Sequence, residues 1–415
     1  MVVSGPNFVR VSTASPQPYA LPTRATGGLI AALTGLVMLG QMATSIYVPS
    51  LPYIDDALDA DPSLVKLTMT VFLWAFALSQ LVYGPLSDRY GRRPVLVGGI
   101  AIYLAGSAVC ALASSIDTLI VGRALQGVGA CAGTAIYRAV VRDLFDLAEG
   151  ARVLAALGIA FAAAPALGPI IGGELQVRYG WQAGFVFLIG LGVVVAVAVA
   201  LRLPESNRRL DPTATRPLQI FRNYRTLLSS RLFWGYCLIV GWQFGGVMAY
   251  TTGLPFVMID LHGMEADQFG YLFLFSVFGF FIGALLANFL LSRHVAPDRL
   301  MVAGSLFQIV ASGAMFALAQ TMPTPAMIIG PQILFMVGFG LIMPIALASA
   351  LEPFPAIAGT ASALLGFFQM AFAGLAIVLL AALYDETARP MAALILVSAV
   401  VSAVALFTLV RPARA

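Results

Sequence analysis

The chain has 415 residues, 60% of them hydrophobic and only 10% charged, with a mean hydropathy of +0.92. Soluble domains carry about 25% charged residues, so this composition cannot dress a water-soluble fold of this length. Cys110, Cys131 and Cys237 are few and lie in apolar runs, which excludes a secreted disulfide scaffold. A net charge of only +4, with arginines scattered over short loops, argues against a nucleic-acid partner.

Residues 1–26 are polar, contain Pro and Ser and lack an apolar core, so they read as a cytoplasmic tail and not as a cleavable signal. Apolar runs follow near 27–49, 64–84, 94–115, 118–139, 152–173, 181–203, 233–257, 269–291, 300–320, 325–350, 356–383 and 390–410. Each approaches the roughly 20 residues that a helix needs to cross hydrocarbon. Lipid offers no partner to open backbone groups, and barrel strands would be shorter and alternate in polarity. The expected fold is therefore an all-α membrane protein of twelve transmembrane helices.

The spans divide six and six around a long polar gap. This gives an N-terminal bundle at 27–203, a basic loop at 204–232, a C-terminal bundle at 233–410 and a short tail at 411–415. Basic residues gather in cytoplasmic loops. With the N-terminus inside, every one falls on that side except Lys66, Arg178, Arg389 and the intramembrane Arg123. Acids such as Asp55, Asp56, Asp260 and Glu265 lean outward. Both termini are thus expected in the cytoplasm. Within the basic loop, Leu218, Phe221, Tyr224 and Leu228 recur at near-helical spacing between arginines. That segment is either a plain tether or a short helix lying on the anionic leaflet.

Three strings carry chemistry. After the second span come Gly84, Asp88, Arg89, Gly91, Arg92 and Arg93. The glycines suit a tight reversal, and the charges can cluster at the membrane surface or serve only to orient the chain. In the fourth span, Arg123 shares a helical face with Gln126, Gly127, Ala130, Thr134 and Tyr137. A guanidinium is expensive in lipid, so Arg123 must face protein or water, or snorkel to the interface. The fifth span carries Pro165, Gly168, Pro169, Gly172 and Gly173. Two prolines four apart invite a kink, as in an ordinary Gly-packed helix.

The first string resembles the G-x-x-x-D-R-x-G-R-[RK] signature of the major facilitator superfamily, in its expected place. Arg123 to Gly127 is similar to the R-x-x-Q-G motif of proton-coupled members, and Gly168 to Gly173 to the G-P-x-x-G-G motif of drug/proton antiporters. Thr44 to Pro52, and Glu352 to Ala363, resemble the Bcr/CflA drug-resistance group, and the likeness runs from span 1 to span 12. The resemblance implies a major facilitator fold, an interdomain latch at Asp88 and Arg92, and an exporter of antibiotics such as bicyclomycin or phenicols in the bacterial inner membrane. It also implies protons as the driving ion, with Arg123 and Gln126 in coupling. Where the group carries an Asp in helix 1, this chain has Ser45, and no other carboxylate lies deep in a span.

Polar or aromatic residues within spans are the candidates to meet a substrate. They are Gln41, Tyr47, Gln80, Tyr137 and Trp242, with Gln243, Tyr250, Gln332 and Gln369. Each could equally make an interhelical hydrogen bond. Together they suit a mainly apolar, uncharged small molecule. His262 and His294 lie in loops and form no metal-ligand cluster, and no Gly-rich nucleotide loop with Lys is present. Neither metal nor cofactor is expected, no enzyme activity, and a monomer in the bilayer. Competing readings are a metabolite exporter for amino acids or sugars, an uncoupled facilitator, and a receptor that has lost transport.

Overall fold

The computed structural model describes residues 27–207, 210–321 and 324–414. The expected tail at 1–26, with Arg208 and Arg209 of the basic loop, lies outside the described residues. Among the described residues every regular element is helical, and twelve helices are long and apolar enough to cross a membrane.

The first crossing is α1 (Gly27–Ser45), extended by a 3-10 turn Val48–Ser50 and by α2 (Leu51–Leu58). It runs past the expected end near residue 49, because Pro49 and Pro52 each occupy the opening turn of a new helical segment, where a missing N–H costs nothing. Asp59, in the left-handed region at φ 47°, ends α2. Then come α3 (Pro62–Tyr90), α4 (Arg92–Ala111), α5 (Ile116–Leu144), α6 (Leu147–Tyr179) and α7 (Gln182–Arg202). Side chains cap the new starts: Asp61 accepts from the Ser63 N–H, Ser115 from Thr118 and Asp146 from Glu149. The long α6 stays helical through both Pro165 and Pro169.

A short helix, α8 (Pro217–Leu228), follows in the basic loop. Leu227 is buried and Tyr224 half-buried, while Phe221 and Leu228 stay exposed. The side chain of Leu218 lies outside the described residues. The second set is α9 (Arg231–Pro255), prolonged by a π-helical turn Phe256–Leu261, then α10 (Ala266–Ser292), α11 (Pro297–Leu318), α12 (Pro325–Leu351), α13 (Ala358–Ala382) and α14 (Arg389–Ala405). A π turn, Leu406–Val410, leads into α15 (Arg411–Arg414). The tail expected from residue 411 is thus helical to Arg414, and Arg411 pairs with Asp298 at 2.9 Å.

In the first bundle α5 packs on α3 and α4, and α1 on α6 and α7. In the second, α9 packs on α13 and α14, and α12 on α10 and α11. Between the bundles α3 lies along α13 and α6 along α10. Counting only crossing helices, the second of each bundle meets the fifth of the other, a reciprocal arrangement about a central axis. Close approach there needs bare backbone. A Cβ on Gly270 would stand 2.5 Å from the Pro169 carbonyl oxygen, and one on Gly173 would strike the Ala266 carbonyl. One end of the bundle carries the charged turn around Asp88. The other carries Asp55, Asp56, Asp260, Glu265 and Asp267, and is called the acidic end below.

Candidate functional site

Where the bundles face each other they enclose a cavity of about 70 Å³. From the first bundle come Thr44 and Ser45 of α1 and Pro165 of α6; from the second come Met248, Tyr250 and Thr251 of α9, Phe273 and Ser276 of α10, and Gln332 and Met336 of α12. No side chain lining it is charged. Gln332 is fully buried, and neither of its amide atoms has a hydrogen-bond partner. Apart from each other, the buried hydroxyls of Tyr250 and Ser276 also lack one. Leaving such groups unsatisfied costs about 1–3 kcal/mol each, and a neutral molecule with donors and acceptors is the chemistry this lining can satisfy. It is far smaller than the roughly 300–1,000 Å³ of a small-molecule pocket. A drug-sized ligand therefore requires the bundles to part.

Ser45 sits at the wall of this cavity, and its Oγ reaches the carbonyls of Gln41 at 2.8 Å and Ala164 at 3.3 Å. The fifth-span motif explains its surroundings. A Cβ on Gly168 would strike Ser45 Oγ, and one on Gly172 would strike the Ile46 carbonyl oxygen. Those glycines seat α6 on α1, Gly173 seats it on α10, and Pro165 faces the cavity.

Arg123 is wholly buried within the first bundle and does not line the cavity. One terminal nitrogen donates to the Ala43 carbonyl at 3.0 Å and to Gln126 Oε1 at 2.5 Å. The other faces the Met69 sulfur at 3.3 Å, and Nε has no partner. The rings of Tyr47 and Phe72 lie 4.7 and 4.3 Å from the guanidinium carbon. Gln126 passes the chain on to Ser107 at 2.9 Å. No carboxylate is paired with Arg123 among the described residues; Glu174 instead pairs with Arg178 at 2.8 Å. The cation is thus held away from water by a carbonyl, an amide, a thioether and two rings.

The charged turn forms a network at the far end. Arg92 is buried and binds Asp88 at 2.6 Å, Asp143 of α5 at 3.2 Å and Ser87 Oγ at 2.5 Å. Glu205, after α7, caps α4 by accepting from the backbone N–H groups of Arg92 and Arg93 at 2.9 and 3.0 Å. Gly91 has φ 99°, and a Cβ there would stand 2.6 Å from Glu205 Oε2. Both conditions call for glycine. Arg89 reaches Thr215 in the loop before α8 at 2.5 Å, and Arg93 the Ala200 carbonyl at 2.7 Å. Among the described residues, none of these bonds reaches the second bundle, where the resemblance places a latch. These bonds tie α3, α4, α5 and α7 to each other and to the 203–216 segment. Gly84 has open space around it, so a Cβ there would meet nothing.

The remaining candidates scatter. Tyr250 and Gln332 meet in the cavity. Gln243 instead exchanges hydrogen bonds with Gln308 at 2.6 Å and donates to Ser402 at 3.0 Å, a buried clasp of α9, α11 and α14. Tyr47 shares a hydrogen bond with Thr68 at 2.9 Å. Tyr137 accepts from Arg138 at 2.9 Å, away from the cavity. Trp242 packs on Phe372, and Gln80 lies against Gly366 of α13. Gln41 and Gln369 are half-buried and outside the cavity lining. Sequence reasoning missed Ser276, Thr44 and Thr251, whose short hydroxyls are unremarkable in an apolar run. It also missed Lys66, counted on the outer side at the start of the second span but fully buried; the signal was a lone lysine inside an apolar stretch.

The model of the Major Facilitator Superfamily matches residues 33–377. The chain is 31% identical over 347 residues to Multidrug resistance protein D of Escherichia coli (strain K12), covering 82% of this chain and 85% of that one. It is 30% identical over 361 residues to a Bicyclomycin resistance protein homolog of Haemophilus influenzae, covering 86% and 89%. The fold resembles the crystal structure of a D-xylose-proton symporter, with a TM-score of 0.74 over 92% of this chain and 97% of that chain at 14% identity.

Proposed function

The chain belongs to the major facilitator superfamily, and on that premise we propose that it exports small, uncharged, amphipathic drugs across the bacterial inner membrane by alternating access. The observation that carries the reading is the interbundle cavity, neutral on every side and holding unpartnered amide and hydroxyl groups. The multidrug and bicyclomycin resistance proteins among its relatives point the same way. A permanent cation would find no counter-charge at the cavity wall, whereas a bicyclomycin- or phenicol-like molecule would satisfy Gln332, Tyr250 and Ser276. Expression in a drug-sensitive bacterium is the test. Reduced accumulation of uncharged drugs is expected, with little effect on quaternary ammonium compounds. The reverse pattern refutes the preference for uncharged drugs, and no change with any drug class favours a metabolite as substrate.

Export is driven by protons in this proposal, with Arg123 and Gln126 as the responsive pair. What supports it is a buried guanidinium without a carboxylate, set directly behind the Ser45 segment of α1. In this reading Asp88 and Arg92, bonded within the first bundle here, make an interdomain latch in the other access state. The asymmetry of basic residues supports cytoplasmic termini and a cytoplasmic basic loop around α8. Labelling of Arg216→Cys by an impermeant reagent only after the membrane is opened agrees with that; labelling of intact cells reverses it.

A further inference from the structure

Lys66 lies one turn into α3, and its side chain is 0% exposed. It is the one lysine of the chain. Its ammonium makes no hydrogen bond. It stands instead 3.7 Å from the ring centre of Phe256 and 3.5 Å from that of Tyr384. Both rings belong to the second bundle: Phe256 opens the π turn after α9, and Tyr384 follows α13. They meet each other edge-on, 5.8 Å apart. The other cation–ring contacts described, such as those of Arg123, Arg138 and Arg411, join residues of a single bundle. A lysine from one half caged by the aromatic residues of the other is therefore a bond between the halves.

The cage exists only while the acidic end is closed. Parting the bundles removes both rings from the ammonium and returns it to water. The charges acting on Lys66 are Asp55 and Asp61 from its own bundle and Asp260 from the other. Tyr384 is also acted on by Glu386 and Asp385 of its own loop, and burial together with Asp260 pushes its phenol up to about 12, so it stays a neutral ring. An ammonium loses water on entering such a site and gains two ring faces in exchange.

We propose that Lys66, Phe256 and Tyr384 form a cation–π lock that holds the two bundles together at the acidic end, with Lys66 as a positioning residue for the opening step of transport. Its consequence for transport rests on the alternating-access reading, whereas the lock itself is read from closure alone. Spin labels at Ser114→Cys in the first bundle and Thr321→Cys in the second, both exposed at the acidic end, report its width by electron–electron resonance in lipid nanodiscs. The native cysteines are buried. Tyr384→Leu is expected to raise the ratio of open to closed populations about tenfold, the change that 1.4 kcal/mol makes in an equilibrium. Tyr384→Phe keeps the ring and should match the parent. In a Lys66→Met background the same Tyr384→Leu change should alter the ratio by less than about twofold, because the pair is already broken. Equal effects in both backgrounds, or none in either, overturn the lock. Phe256→Leu carries the same cycle should Tyr384→Leu fail to fold. The distances are read without substrate, so absent drug export would leave this result standing and count only against the exporter reading.

Discussion

Gln332 makes its contribution as a single side chain. It brings two unpartnered polar atoms into a cavity otherwise lined by apolar and hydroxyl groups. Replacing one hydrogen bond to substrate costs about 0.5–1.5 kcal/mol, or roughly two- to tenfold in apparent affinity. Gln332→Leu should therefore weaken export of uncharged drugs by that factor. It should also raise the melting temperature of the substrate-free protein, because an unsatisfied buried amide is removed. Efflux at the parent rate with a lowered melting temperature would make Gln332 a packing residue. Arg123 departs from the rule that buried charges are paired. Its partners are a carbonyl, an amide, a sulfur and two rings, and a group held so without a carboxylate marks function more readily than stability.

At the scale of elements, the charged turn is an assembly of three helices and a loop. Arg92 is 6% exposed in its side chain and Asp143 18%, whereas Asp88 is 48% exposed. Breaking a buried pair by removing one partner costs about 3–5 kcal/mol, and a surface pair is worth about 0–1 kcal/mol. Arg92→Ala should thus lower thermal stability and transport strongly. Asp88→Asn should leave stability close to the parent and impair transport alone, through the access equilibrium. Melting curves beside an efflux assay separate these outcomes; equal losses of stability in both variants would contradict the burial argument. In α6 the prolines and glycines act as one surface. Gly168 and Gly172 receive α1, Gly173 receives α10, and one helix thereby carries contacts within its bundle and across the interface.

For the whole molecule, the proposed coupling of drug to proton is the property to test. The parent protein in liposomes with an imposed pH gradient should accumulate an uncharged drug against its own gradient, and collapse of the pH gradient should abolish that. Arg123→Met should cut gradient-driven accumulation by about tenfold, within the ~5–150-fold range of typical couplings. It takes a donor from the buried Ala43 carbonyl and Gln126 amide oxygen, at about 1–3 kcal/mol each, so melting curves beside the assay separate lost coupling from lost stability. Ser45→Asp places a carboxylate at the cavity wall beside Gly168 and should strengthen the pH dependence. Equal transport with and without the gradient, unchanged in Arg123→Met, removes proton coupling and leaves a facilitator.

The spans, the charged turn and the Gly–Pro string of α6 were legible in the sequence because each is a local property. Run length against hydrocarbon thickness sets a crossing helix, and a turn needs its glycine wherever it lies in the fold. Even the extension of α1 through Val48–Ser50 into α2 was hidden only because prolines end helices more often than they begin them. What the sequence could not determine was direction. When a helix is apolar on all faces, periodicity does not say which face meets lipid, a sister helix or the opposite bundle. Tertiary packing decided that Gln243 clasps Gln308 while Gln332 opens to the cavity. It turned Arg123 into its own bundle, toward Ala43 and Met69, and not into the space between bundles. It drew Lys66 from the outer end of the second span into a cage of two rings more than 180 residues away in the chain. Those partners follow α9 and α13, distant in sequence, and meet Lys66 only because the second bundle packs on α3 across the interface.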